Sequence, residues 1–118
     1  MDARRQFGNR GEDLAATYFM AQGYSILERN WSCRMGEIDV IAEKDGVLHF
    51  VEVKTRRTRE FGYPEEAITP KKLQHLGRAV EMYLRMASSQ SKDYRVDALA
   101  ITLVEGKTPE FHFVSGIL

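Results

Sequence analysis

Apolar residues recur at helical spacing in two segments of this chain and at alternating or near-continuous spacing in the others. The first helix is predicted from residue 8 or 9 to about residue 22, where Gly23 supplies the left-handed conformation that ends many helices. The second helix is predicted over residues 69–86, because Thr69 followed by Pro70 is a typical helix start. Each helix has one apolar face, which indicates packing against a core.

The strand-like segments lie between and after these helices. They are residues 24–31, the two arms of a hairpin around Asp45-Gly46, residues 94–104 and residues 110–115. Residues 32–35 are expected to connect the first strand to the hairpin. The order is thus one helix, three strands, one helix and two strands. This order predicts an α/β fold, a three-layer α/β/α sandwich with a mixed central sheet, formed by a single domain over residues 1–118.

The hairpin around Asp45-Gly46 sets charged residues opposite one another. Both central positions of a type I′ turn need positive φ, which Asp and Gly tolerate. A two-residue loop pairs Lys44 with Val47, Ile41 with Phe50, Asp39 with Glu52, and Glu37 with Lys54. A three-residue loop without a bulge would send the carboxylates of one strand to the other side of the sheet. A four-residue loop would keep them together and set Glu37 opposite Glu52.

Two opposed carboxylates need a positive charge between them. Directly opposed side chains in such a ladder have Cβ atoms about 4.5–5.5 Å apart, so Asp39 and Glu52 repel unless a cation, a shared proton or a lysine intervenes. Carboxylate oxygens suit Mg²⁺ or Mn²⁺, whereas Cys33 and three scattered histidines show no zinc-ligand spacing. The hairpin therefore predicts a magnesium or manganese site.

Alternating charged and apolar residues are also typical of an ordinary half-exposed strand. In this hairpin, apolar residues are expected on both faces. They are Ile41, Leu48 and Phe50 on the charged face, nearer the turn, and Ile38, Val40, Val51 and Val53 on the other face. Charges on a strand buried on both faces are costly unless they are paired or bound to a metal. The charged cluster is therefore expected at the open end of a buried sheet, where ligands bind.

The charged residues resemble the motif of the PD-(D/E)xK nuclease superfamily. In that motif an acidic residue on one strand is followed on the next strand by Asp or Glu, any residue, and Lys. The matching residues are Asp39, Glu52 and Lys54, and Ile38 replaces the proline of the motif. Because many unrelated chains contain this triplet by chance, the rest of the N-terminal half decides how specific the resemblance is.

The N-terminal half is similar to the YraN-like family of small bacterial proteins, which is usually described as Holliday-junction-resolvase-like. The residues that carry this resemblance are Gly8, Gly11-Glu12, Ala15, Gly23-Tyr24, Ile26-Leu27, Arg29-Asn30, Gly36-Glu37-Ile38-Asp39 and Val51-Glu52-Val53-Lys54-Thr55-Arg56. The second half matches only in its layout of a helix followed by strands. The resemblance implies a restriction-endonuclease-like core.

The resemblance also implies an activity, a metal-dependent endonuclease that hydrolyses phosphodiester bonds of DNA, including branched or structured DNA. The implied metal ligands for Mg²⁺ or Mn²⁺ are Asp39, Glu52, the carbonyl of Val53, and Glu12 of the first helix. Lys54 would orient the attacking water, and Glu12 and Glu37 would complete the outer or second-metal shell. By position alone, Glu12 is also typical of a first-turn acid that stabilises the helix dipole.

Basic residues flank this predicted site. The ones expected to bind a phosphate backbone are Arg56, Arg57 and Arg59 after the catalytic strand, and Lys71 and Lys72 in the second helix. Each cluster alone is also typical of a solvated loop or helix end. The alternative function is a noncatalytic nucleic-acid-binding module on the nuclease scaffold, and a third is a protein-interaction domain with a structural ion network. Because resolvases cut two strands symmetrically, the resemblance further implies a homodimer.

The composition limits the classes of protein to which this chain can belong. The chain has 118 residues with 17 Lys plus Arg and 17 Asp plus Glu, a neutral balance that argues against a generic nucleic-acid coat protein. Residues 1–7 are polar, so no signal peptide is visible, and no apolar run approaches the length of a membrane span. One cysteine excludes an internal disulfide. We therefore expect a cytoplasmic protein without a small-molecule cofactor.

Three further residues interrupt their local pattern. Asp97 lies in the apolar fourth strand and is expected to bond a backbone donor or Arg95. His75 lies away from the apolar face of the second helix and is expected to be exposed rather than to act as a general base. Trp31, at the end of the first strand, is expected to pack rather than to stack on a base.

Overall fold

A computed structural model describes residues 3–57, 68–87 and 93–118 of the chain. Its helices and strands are α1 (Ala3–Ala21), β1 (Ser25–Cys33), β2 (Gly36–Lys44), β3 (Val47–Arg56), α2 (Pro70–Met86), β4 (Asp93–Thr102) and β5 (Glu110–Val114). The predicted order of helices and strands is confirmed. In the described part of the chain, neither helix is long and apolar enough to cross a membrane.

The five strands form one mixed sheet in the order β1-β2-β3-β4-β5. Neighbouring strands are antiparallel, except that β3 and β4 are parallel and are connected through α2. One apolar cluster joins α1 to the sheet through Phe19, Val51 and Leu99. A second cluster joins α2 to the opposite face through Phe50 and Val80. The predicted α/β sandwich with a mixed central sheet is therefore confirmed.

Three predicted boundaries were wrong by two residues or more, including that of β4, which ends at Thr102 rather than at residue 104. α1 begins at Ala3 rather than at residue 8 or 9, because residues 3–7 contain good helix formers and Phe7 packs against the core. β1 continues to Cys33, where its pairing with Gly36 of β2 extends the strand into the expected connection. Only residues 34–35 form the turn between β1 and β2.

The hairpin turn forms as predicted. Asp45 and Gly46 have φ values of 52° and 79°, and Lys44 pairs with Val47, so the loop contains two residues. The pairing of Ile41 with Phe50 is also confirmed.

The assignment of Ile38 to a face of the sheet was wrong. Ile38 and Ile41 were expected on different faces of the sheet, but both contribute to the apolar cluster beneath α2. Val40, between them, lies in the cluster beneath α1. Strict alternation puts residues 38 and 41 on opposite faces. The alternation along β2 therefore breaks near Asp39, and this break matters for the candidate site.

Aromatic packing explains Trp31. Its ring contacts Tyr83 of α2 edge to face, with ring centroids 5.4 Å apart, and Tyr83 also contacts Phe50. The predicted packing role of Trp31 is confirmed.

Asp97 is fully buried and has two partners. Its Oδ2 lies 2.8 Å from Nδ1 of His49, and its Oδ1 accepts a hydrogen bond of 2.9 Å from the backbone N–H of Gly116. The expected backbone donor is thus confirmed, whereas the side-chain partner is His49 rather than Arg95. This carboxylate ties the C-terminal segment to the central strands.

Removing the Asp97 carboxylate should destabilise the protein. Asp97→Ala removes the partner of the half-buried His49 ring and of the N–H of Gly116, and the loss of such a partner costs about 1–3 kcal/mol when the group is buried, so a total of about 2–4 kcal/mol is expected. Asp93→Ala, at the exposed start of the same strand, should change stability by less than about 0.5 kcal/mol. Urea unfolding of both variants measures the difference, and equal midpoints would show that the buried carboxylate contributes nothing.

α1 approaches the sheet most closely at Gly11. A Cβ atom on Gly11 would lie 2.8 Å from Cβ of Thr55 in β3 and would also clash with the Thr55 hydroxyl. Threonine is branched at Cβ and cannot move this part of its side chain away. The absence of a side chain at Gly11 therefore sets the distance between α1 and β3.

Two glycine substitutions in α1 should have opposite effects. Gly11→Ala is expected to lower the free energy of unfolding by about 1–3 kcal/mol, the usual cost of overpacking a core. Gly8→Ala is expected to raise it by about 0.5–1 kcal/mol, because a Cβ there meets nothing within 4 Å and alanine favours the helix. Thermal or urea unfolding tests both, and a Gly11→Ala variant as stable as Gly8→Ala would contradict this account of the packing.

Candidate metal and phosphodiester site

The ladder between β2 and β3 stops at Val40 and Val51. One residue beyond, Oδ2 of Asp39 accepts a hydrogen bond of 2.8 Å from the backbone N–H of Val53. A side-chain oxygen thus replaces the backbone acceptor that a continued ladder would supply. The predicted pairs Asp39–Glu52 and Glu37–Lys54 are therefore wrong as ladder pairs, because the strands diverge where these residues lie.

The divergence opens a cleft of about 400 Å³ between the sheet and α2. Its walls are Gly36, Glu37 and Asp39 of β2, Glu52 of β3, and Thr69, Lys71, Lys72, His75 and Leu76 at the start of α2. The structure thus brings together three of the predicted catalytic carboxylates with two of the predicted phosphate-binding lysines.

The start of α2 is held in place by its cap and by a close contact. Oγ1 of Thr69 accepts a hydrogen bond of 3.2 Å from the backbone N–H of Lys72, as the sequence predicted for the cap. A Cβ atom on Gly36 would lie only 2.8 Å from the carbonyl oxygen of His75. Glycine at this position therefore lets α2 approach β2 and close one side of the cleft.

Burial raises the pKa of both central carboxyls, and repulsion adds to this effect, from Glu52 at Asp39 and from Glu37 at Glu52. The pKa of Asp39 rises from its ordinary value of 3.8 to about 7, chiefly because of burial and then because of the charge of Glu52. The hydrogen bond from Val53 opposes this shift in part, and Glu12 and Glu37 add to it. Burial also raises the pKa of Glu52, while Lys72 and then Lys54 oppose the effect.

Two predicted catalytic residues lie outside the wall of the cleft but act on it through their charge. Glu12 of α1, on the other face of the sheet, raises the pKa of Asp39. Lys54 is exposed on β3 and lowers the pKa of Glu52, although less than Lys72 does. Of the cations among the described residues, Lys72 therefore has the largest effect on Glu52, which the motif alone did not indicate.

The donor set of the cleft fits a hard divalent cation. Among residues 3–57, 68–87 and 93–118, no three His, Cys, Asp or Glu side chains converge closely enough to hold an ion by themselves. Mg²⁺ is commonly held by one or two carboxylates and keeps several waters. Asp39 and Glu52 meet this requirement, and a bound cation would remove the electrostatic cost that raises their pKa values.

The predicted basic segment is divided between the two faces of the sheet. Arg56 is the last residue of β3, and Arg57 is the next residue along the chain. The guanidinium of Arg57 lies over the ring of Phe7 in α1, 4.6 Å from its centroid, which is the face away from the cleft. Arg59 lies outside the described residues.

His75 belongs to the cleft, although the sequence indicated only that it would be exposed. It is exposed, as predicted, and it lies in the wall one helical turn after Lys72. Residues three apart on a helix share a face. Helical spacing from Lys72 was the signal that could have placed His75 beside the carboxylates.

Comparison with known proteins identifies the family. The family model described as "Uncharacterised protein family UPF0102" matches residues 11–101. A UPF0102 protein of Syntrophomonas wolfei is 43% identical over 111 residues, which cover 94% of this chain and 96% of that protein. The chain belongs to the UPF0102 family. A UPF0102 protein of Leifsonia xyli is 41% identical over 118 residues, the whole length of both chains.

Membership of UPF0102 confirms the resemblance to YraN-like proteins. The match to the UPF0102 model begins at Gly11, the residue at which α1 contacts β3, and ends within β4. It therefore includes every described wall residue of the cleft together with Glu12 and Lys54.

The raised pKa of Asp39 predicts a particular dependence of stability on pH. Because the folded-state pKa of about 7 exceeds the ordinary value of 3.8, the folded protein binds more protons than the unfolded chain between about pH 4 and 7. Its free energy of unfolding should therefore fall as the pH rises through this window in the absence of divalent ions. Asp39→Asn keeps an oxygen for the N–H of Val53 but carries no charge.

Asp39→Asn is accordingly expected to be more stable than the wild type at pH 8 in EDTA. The expected difference is on the order of 2–4 kcal/mol, since each pKa unit corresponds to about 1.4 kcal/mol. Urea unfolding at pH 5 and pH 8 measures it, with Glu28→Gln on the exposed surface of β1 as the matched control. Parallel pH profiles for wild type and Asp39→Asn would show that Asp39 titrates normally.

Proposed function

We propose that this protein is a Mg²⁺- or Mn²⁺-dependent endonuclease that hydrolyses phosphodiester bonds of DNA, including branched or structured DNA. The observation that carries the proposal is the cleft at the end of the β2–β3 ladder, where Asp39 and Glu52 lie with Lys72. Two carboxylates of raised pKa and a cation at one opening are suited to a metal ion and a phosphate group. The resemblance of Asp39, Glu52 and Lys54 to the nuclease motif supports the same reaction.

The reaction would be an in-line attack of water on the phosphodiester. A divalent ion held by Asp39 and Glu52 would polarise the phosphate and lower the pKa of bound water. Asp39 is already oriented by the backbone N–H of Val53, so its position does not depend on the substrate. Lys54, close enough to Glu52 to lower its pKa, would orient the water and offset charge on the phosphate oxygens.

The surrounding charges would assist binding. Lys71 and Lys72 in the wall of the cleft would contact the phosphate backbone of the substrate. Glu12 and Glu37 increase the negative potential at Asp39 and would act on the ion from outside its ligand set. Because a four-way junction must be cut in two strands, junction resolution would further require a homodimer.

Cleavage of labelled single strand, duplex, flap and four-way junction DNA, with Mg²⁺, Mn²⁺ or EDTA, tests the activity. We expect product only with a divalent ion, and a rate at least about 100-fold lower for Asp39→Asn and Glu52→Gln, as for the loss of a central catalytic group. Glu28→Gln has the same chemical change on exposed β1 and should cleave at the wild-type rate. Cleavage by Asp39→Asn at the wild-type rate would contradict the assignment of Asp39 to the catalytic site.

The ion can be tested without catalysis. Millimolar Mg²⁺ is expected to raise the melting temperature of the wild type at pH 8, because a ligand that binds only the folded state stabilises it. Asp39→Asn should show little of this increase. A folded wild type that yields no product, and binds DNA with strong salt dependence but no dependence on Mg²⁺, would instead favour the noncatalytic binding module.

A further inference from the structure

The protein has a second concave region, on the face of the sheet that carries α1. It encloses about 670 Å³ between the beginning of α1, the residue after β3, and the turn between β4 and β5. We call it the basic pocket and define it by Phe7, Arg10, Arg57, Val104, Glu105 and Lys107. The cleft with Asp39 and Glu52 lies on the α2 face, so the two sites are separate.

The basic pocket collects three cations from three parts of the chain. Arg10 comes from α1, Arg57 follows β3, and Lys107 lies in the turn before β5, whereas Glu105 is the single acid among the described residues of the wall. All three cations are exposed, and within the described ranges no carboxylate lies at ion-pair distance from any of them. Like charges gathered in one depression repel each other and attract an anion.

Arg57 is restrained in this pocket. Its guanidinium lies over the ring of Phe7, 4.6 Å from the centroid. A cation–π contact uses the face of the ring and requires no carboxylate, so the charge of the guanidinium is not neutralised. A guanidinium that is already held in position loses less side-chain entropy when it binds a phosphate oxygen.

The pocket also has apolar surface beside its cations. Val104 is 40% exposed, and Phe7 is half-buried with its ring beneath Arg57. An inorganic phosphate would use only the charged groups, whereas a sugar and a base attached to that phosphate could also cover Val104. The chemistry of the wall therefore favours a nucleotide unit over a small inorganic anion.

The two sites lie near the same end of the sheet. Glu52 is in the last part of β3, and Arg57 follows the last residue of that strand. A strand that crosses the end of the sheet could occupy both sites.

We propose that the basic pocket binds a phosphodiester group of a nucleic-acid strand, with its sugar and base, beside the segment of the strand that is cut in the cleft. The nucleic-acid nature of the ligand and the position of the cut rest on the proposed function. The anion preference of the pocket rests on its own residues. The pocket therefore acts as an anchoring site that fixes the position of the strand and takes no part in bond cleavage.

Fluorescence anisotropy with labelled duplex and single-strand DNA, in EDTA, tests the anchor without requiring catalysis. Arg57→Glu and Lys107→Glu are each expected to weaken binding about tenfold or more and to reduce the salt dependence by about one phosphate contact. Arg95→Glu makes the same charge change at the exposed start of β4, at the other end of the sheet, and should weaken binding less than threefold, roughly the effect of net charge alone. Thermal unfolding confirms that each variant folds, and Lys107, on an exposed turn, has no packing role that a substitution would disturb.

The outcomes separate this inference from the proposed function. DNA binding that depends on Arg57 and Lys107, in a protein that cleaves none of the DNA substrates, would support the anchoring site and contradict the proposed nuclease activity. Equal affinities for Arg57→Glu, Lys107→Glu and Arg95→Glu would overturn the anchor, whatever the cleavage assay shows. Titration with inorganic phosphate and with a mononucleotide distinguishes the source of the phosphate. Loss of phosphate binding in Arg57→Glu, with DNA affinity equal to that of the control, would assign the pocket to free phosphate and overturn the proposal.

Discussion

One hydrogen bond, from the N–H of Val53 to Oδ2 of Asp39, determines where the central hairpin stops being a ladder. It satisfies a backbone donor that the diverging strands would otherwise leave without a partner, and an unsatisfied buried donor costs about 1–3 kcal/mol. The same bond fixes the carboxylate and leaves Oδ1 for a ligand. The sheet and the candidate site therefore depend on one side chain.

Two close helix–sheet contacts determine the shape around this carboxylate. α1 approaches β3 at Gly11, and α2 approaches β2 at Gly36, and at both positions a Cβ atom would clash. The helices also carry charges of opposite sign toward the carboxylates, Glu12 from α1 and Lys72 from α2. The negative potential at Asp39 is thus increased from one face of the sheet. From the other face, Lys72 opposes the rise in the pKa of Glu52 that burial causes.

Features with a local cause could be predicted from the sequence, whereas those that depend on distant contacts could not. The Asp45-Gly46 turn and the Thr69 cap follow from the chemistry of neighbouring residues, and both form as predicted. The end of the ladder depends on Asp39 meeting a backbone group fourteen positions away, and no periodicity contains that information. The same contact accompanies the break in alternation that moves Ile38 to the α2 face. The division of Arg56 from Arg57 likewise depends on a distant contact, that of Arg57 with Phe7 of α1.

β3 explains how a chain with balanced charge can offer two sites of opposite character. Because its side chains alternate, Glu52 faces the cleft beneath α2, while Thr55 contacts α1 and Arg57, the next residue on that face, lies over Phe7. Equal numbers of acids and bases argued against a nucleic-acid coat protein, and that inference concerned only the sum. The strand separates the charges by face, so a cation can be attracted on one side and a phosphate on the other. The net charge of the chain therefore does not predict which ligands it binds, whereas the position of each charged residue along β3 determines which face of the sheet attracts a cation or a phosphate.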